Sequence, residues 1–132
     1  MAGYSGTSLA TKLGINADSI VLPVNAPDDY HELIGETAAT FAAKLTKTVS
    51  LVHLFTASKS DLAKALKTYR EKLAPDAAVW VSWPKKSSKV PSDITEGTIR
   101  TVALPLDWVD IKVCAVTDIW SGLKLVVRKS LR

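Results

Sequence analysis

Two apolar runs of strand length, Val49 to Phe55 and Ala77 to Trp83, stand on either side of a segment with helical periodicity. Both runs are apolar at consecutive rather than alternate positions, which requires a strand covered on both faces, as in a parallel sheet between two helical layers. Between them, Ser58 has the residue type of a helix cap and Asp61, three residues on, completes a capping box. Leu62, Leu66, Tyr69 and Leu73 then recur along one stripe, with Lys59, Lys64, Lys67 and Arg70 towards water, until Ala74-Pro75-Asp76 stops the helix. A strand, a helix and a second strand in this order predict parallel pairing with a right-handed crossover.

The rest of the chain extends that unit. Leu9, Ala10 and Leu13 have helical spacing over Thr7 to Leu13, with Ser5 or Thr7 as the cap and Gly14 as the stop. Ile20 to Val24 reads as a strand, in which Pro23 argues for an edge, a bulge or an early end. Pro27 and two aspartates open a helix from about Asp28 to Ile34. Residues 37–45 suit strand or helix, with a lean to strand. Asp93 and Glu96 open another helix, with Ile94, Thr98, Val102 and Leu106 on one face and Pro105 at its end. Val109 to Val116 and Leu123 to Arg128 flank a turn at Asp118 to Gly122, a terminal β-hairpin. The expected architecture is a single α/β domain over residues 1–132. It has three α/β/α layers and a mostly parallel sheet of five or six strands ending in the antiparallel hairpin.

In such a sheet every strand-to-helix loop lies on one edge, the edge where ligands bind in open α/β folds. That edge gathers Asn25 to Asp29, Thr56 to Ser58, Ser82 to Lys89 and the hairpin turn. The candidate ligand-binding residues are therefore Asn25, Thr56, Ser82, Trp83, Lys85, Lys86, Lys89, Trp120 and Ser121. Lys85, Lys86 and Lys89, with serines between them, suit a phosphate or carboxylate, or else form a solvated basic loop. Trp83 and Trp120 suit stacking on a flat ring, or else plug the ends of the sheet. Trp80 and Trp108 belong to the core.

The remaining reactive side chains point away from catalysis. His53 sits mid-strand and reads as a buried, hydrogen-bonded imidazole rather than a base. Ser82 has no base partner visible in the sequence and no nucleophile elbow around it. His31 stands beside Asp28, Asp29 and Glu32, but neighbours along one turn do not face one point, so no metal is expected. Cys114 is the single cysteine, which excludes a disulfide framework, and its place inside a strand suggests a packed thiol. No signal peptide or membrane span is expected, so the protein is expected in the cytoplasm. The net charge of +4 permits an anionic partner without demanding one.

Leu13-Gly14-Ile15 leading to Val21-Leu22, Val49 to Phe55 and Pro75-Asp76-Ala77 through Trp83 resemble the first strand, the fourth strand and the carboxyl-terminal half of a class I methyltransferase. Gly3-Tyr4-Ser5-Gly6-Thr7, Val52-His53-Leu54-Phe55, Trp80 to Lys86 and Trp120-Ser121-Gly122-Leu123-Lys124 are similar to a family of short bacterial proteins of unknown function, domain of unknown function 3052. The resemblance implies a shortened methyltransferase-like Rossmann fold. It departs from that fold where a glycine-rich turn should follow the first strand, because Asn25-Ala26-Pro27-Asp28-Asp29 contains no glycine. The expectation is therefore no S-adenosylmethionine in the usual mode. It favours a non-catalytic module that binds an anionic or nucleotide-like ligand, or a protein partner, at the loop edge. The alternatives are a degenerate S-adenosylmethionine-dependent methyltransferase relative and a nucleic-acid-linked regulatory module. Oligomeric state is not legible in the sequence.

Overall fold

The computed structural model describes residues 8–132. Six strands form one sheet: β1 (Ile20–Val24), β2 (Thr40–Phe41), β3 (Leu51–Phe55), β4 (Ala78–Pro84), β5 (Trp108–Ala115) and β6 (Trp120–Val127). Their order across the sheet is β2-β1-β3-β4-β6-β5. The first four are parallel; β6 runs antiparallel to both β4 and β5. β5 therefore points the same way as β1 to β4, and the β5–β6 turn lies on the edge where those strands end.

Among the described residues four α-helices cover the sheet: α1 (Leu9–Lys12), α2 (Tyr30–Ile34), α3 (Lys59–Lys72) and α4 (Glu96–Ala103). Leu62, Leu66 and Ile99 pack with Val52, Leu54, Val79, Val81 and Leu125 on the α3–α4 face. Ala10, Leu13, Tyr30 and Ile34 pack with Val21, Leu51, Phe55 and Trp80 on the α1–α2 face. All residues of β3 and β4 are buried. Consecutive apolar side chains thus feed alternate cores, each fully buried Leu, Val or Phe contributing about 1.5–3 kcal/mol. Trp80 and Trp108 are wholly enclosed, and each satisfies its indole N–H on a backbone carbonyl, of Leu13 at 2.8 Å and of Leu66 at 3.1 Å.

Several local expectations change. The α1 cap is Ser8, whose hydroxyl accepts the Thr11 N–H; Ser5, Thr7 and the Gly3 to Thr7 motif lie outside the described residues. β1 is internal, not an edge, yet it tolerates Pro23. The carbonyls of Ser19 and Val21 point to β2, so by strand alternation the proline nitrogen faces that side too, beyond the last β2 residue. Residues 37–45 hold a strand, but one of only two residues. Asp93 does not open α4, whose cap is Thr95; its carboxylate accepts the Lys59 N–H at 2.7 Å, at the start of α3. Because Ile94 precedes α4, it does not set the helix phase, and the buried helical positions are Ile99 and Ala103.

Candidate functional site: the loop edge of the sheet

Asn25, Thr56, Lys85 and Trp120 follow or begin strands on one edge, and backbone pairing joins two of their loops. The Lys85 N–H donates to the Ile119 carbonyl at 2.7 Å, and Pro84 stands opposite Trp120. The edge is nevertheless divided by the sheet. Trp83 faces the α3–α4 core with 8% of its surface exposed, whereas Trp120 packs on the α1–α2 face, edge-on to Phe55 at 5.1 Å between ring centroids. The two indoles therefore cannot stack on opposite sides of one ligand ring. The reason is parity, since Trp83 is paired with Ser121, one position removed from Trp120.

Two further candidates are enclosed. Thr56 is buried and its hydroxyl accepts the Ser58 N–H just before α3. Ser82 is fully buried, with its hydroxyl 2.7 Å from His53 Nε2, while His53 Nδ1 lies 2.9 Å from the Tyr30 hydroxyl. Ser82 thus does have an imidazole partner, which the sequence reading missed. The signal was present but unreadable: both residues lie on the α1–α2 face only once the β3–β4 register, Phe55 opposite Ser82, is known. His53 has no exposed surface, and burial pushes its pKa down to about 3. It is a neutral imidazole locked between two hydroxyls, out of reach of substrate. Burial also pushes the Tyr30 phenol up.

Among the described residues of this edge, Asn25, the lysine loop and a shallow cleft are open to solvent. Lys86 to Ser88 form a single 3-10 turn, with Lys86, Ser87 and Lys89 exposed and Lys85 half-buried. The Ser88 hydroxyl donates to the Lys85 carbonyl and accepts the Val90 N–H, so it braces the turn. The cleft has a volume of about 250 Å³ and lies between Pro27, Asp29 and Leu33 on one side and Thr117, Asp118, Ile119 and Trp120 on the other. That is below the ~300–1,000 Å³ of ordinary small-molecule pockets. Asn25 and Ser121 are not part of its wall. Pro27, Asp29, Asp118 and Ile119 lie in loops that the sequence gathers on this edge, though not among the candidate residues; Leu33 and Thr117 were missed, because their contact across the cleft has no sequence signature. Among the described residues no group of three His, Cys, Asp or Glu side chains is placed to hold a metal. No helix is long and apolar enough to cross a membrane.

No family model and no curated protein matches the chain. Solved structures do. The Bacillus subtilis m1A22 tRNA methyltransferase TrmK superposes with a TM-score of 0.63 at 9% identity, over 92% of this chain and 65% of its own. A Sulfolobus solfataricus protein described as a type 11 methyltransferase gives 0.61 at 10% identity, over 90% and 88%. The fold is a methyltransferase-like Rossmann fold. A Streptococcus pneumoniae protein described as a tRNA (m1A22) methyltransferase, in complex with S-adenosyl-L-methionine, gives 0.59 at 12% identity, over 91% and 70%.

The cofactor that this fold implies can be tested against the residues present. Dinucleotide-type sites in Rossmann folds use a glycine turn after the first strand and an acidic side chain about 20 residues further on for the ribose. Here the turn carries Asn25, Ala26 and Pro27, and Pro27 has no N–H to offer. Asn25 does adopt the left-handed conformation, φ 56°, that glycine supplies most readily. No acidic residue occurs from Thr37 to Ser60, and β2 ends in Phe41. Tyr30 meets Phe41, His53 and Phe55 edge to face, so aromatic rings fill the space between α2 and the sheet. Neither the glycine turn nor the acidic ribose contact of that pattern stands at these positions.

Proposed function

We propose that this chain is a degenerate relative of the S-adenosylmethionine-dependent methyltransferases, one that keeps the scaffold and uses its loop edge to bind rather than to methylate. The observation that carries this reading is the replacement of the nucleoside-binding groups by Asn25-Ala26-Pro27, Phe41 and the aromatic packing around Tyr30. The Ser82–His53 pair does not supply an alternative catalytic centre, because both side chains are inaccessible. The exposed ammonium groups of Lys86 and Lys89, with the half-buried Lys85, are the groups offered to a ligand, and an anionic or nucleotide-like molecule suits them.

Fold similarity to a protein crystallised with S-adenosyl-L-methionine makes that molecule the first ligand to test. Equilibrium dialysis against S-adenosylmethionine and S-adenosylhomocysteine is expected to show no retention, and micromolar binding would overturn the reading. In a thermal-shift panel of nucleotides and phosphorylated metabolites, stabilisation by a hit is expected to vanish in a Lys85→Gln/Lys86→Gln variant. A hit indifferent to that variant would move the site away from the lysine loop.

A further inference from the structure

A second basic cluster lies away from the loop edge, on the α1 side of the β5–β6 hairpin. Lys112 and Lys124 are direct cross-strand partners, and like charges in that relation destabilise a sheet. The last residue of α1 reaches the same spot through its backbone: the Lys112 ammonium donates to the Lys12 carbonyl at 2.9 Å. The Lys124 ammonium lies against Gly14, 3.2 Å from where a Cβ on that glycine would stand. Burial first, and Lys112 second, hold its pKa below the usual lysine range.

No carboxylate offsets these charges. Among the described residues every ion pair involves Arg70 or Arg100, and Met1 to Thr7 contains no Asp or Glu. The neighbouring Asp110 is turned to the other face, where Arg100 holds it. Capping the last carbonyls of α1 explains one bond of Lys112. It does not account for Lys124, whose ammonium donates no hydrogen bond among the described residues.

We propose that Lys112 and Lys124, beside the last turn of α1, form an anion site for a phosphate group. Two ammonium groups on neighbouring strands, with donors left over, match an anion carrying several oxygens, and such an anion converts their mutual repulsion into attraction. The site is independent of the loop edge and of the reading given for it.

The test is thermal unfolding of the full chain while inorganic phosphate is titrated against chloride at matched ionic strength. Wild type is expected to gain Tm saturably with phosphate. Lys124→Met is expected to unfold at a higher Tm than wild type without phosphate, because the cross-strand repulsion is gone, and to lose the phosphate-dependent gain. Lys112→Gln is expected to weaken phosphate by about tenfold, and Lys86→Gln, on the other loop, to leave it unchanged. Absence of a phosphate-specific gain, or a gain that survives both Lys124→Met and Lys112→Gln, would overturn the site. A short oligouridylate run in competition identifies the source: displacement of phosphate assigns the site to a nucleic-acid backbone, and indifference to a free phosphorylated compound.

Discussion

His53 shows how one buried side chain couples the fold to pH. Its imidazole is neutral in the folded protein down to about pH 3, whereas the unfolded chain binds a proton below about pH 6.5. Below pH 6.5 the unfolded state holds more protons, so stability falls as pH falls through the window from 6.5 towards 3. Between pH 6.5 and 5 the loss is about 2 kcal/mol, at ~1.4 kcal/mol per unit. Urea unfolding at the two pH values should show that loss in wild type and not in His53→Gln, whose amide still reaches towards Tyr30 and Ser82. Equal losses in both proteins would mean that the imidazole is protonated in the fold. Gly122 is a second sensitive position. A Cβ there would stand 3.1 Å from Val116 Cγ2 and 3.2 Å from Trp80 Cε3, both fixed in the core. Gly122→Ala is expected to lower stability by about 1–3 kcal/mol, read as a lower urea midpoint at unchanged slope.

At the scale of elements, α3 and α4 are joined by Asp93, which stands just before one helix in sequence and caps the other in space. Asp93→Ala removes an anionic acceptor from the N-terminus of α3 and is expected to cost about 1 kcal/mol. Faster amide exchange should appear in the first turn of α3 (Lys59 to Asp61), not in α4; acceleration in α4 instead would return Asp93 to its sequence role. The sequence could not place Asp93 because the bond spans 34 residues, and local cap chemistry suits either helix equally. Elements whose own periodicity decides them were legible: α3 with its Leu62, Leu66, Tyr69 stripe, and β3 and β4 as continuous apolar runs. β2 was legible only as a lean to strand over residues 37–45, because its two residues are held in place by pairing with Ile20 and Val21 rather than by any pattern of their own. The convergence of loops on one edge followed from strand order, but their division by the sheet into a Trp83 face and a Trp120 face needed the register.

Across the whole molecule, burial and pairing fall away from a centre at β3 and β4. β4 is bonded along its length to β3 on one side and to β6 on the other, and helices cover both of its faces. β2 at one margin is two residues long, and β5 at the other exposes Ile111 and Val113 beside a register shift between Asp110 and Lys112. Such a bulge, with a lysine on the strand, turns an edge away from pairing with another sheet. Local opening costs least where few buried contacts must be broken, so the strand-to-helix loops and the margins should open long before the centre. Hydrogen exchange is therefore expected to be slowest at Leu51–Phe55 and Ala78–Trp83, intermediate in β6, and fastest at Thr40–Phe41 and Lys86–Lys89. If Thr40 and Phe41 proved as protected as Val79 and Val81, β2 would be an integral strand. The space beside β1 would then be rigidly closed, not lightly covered.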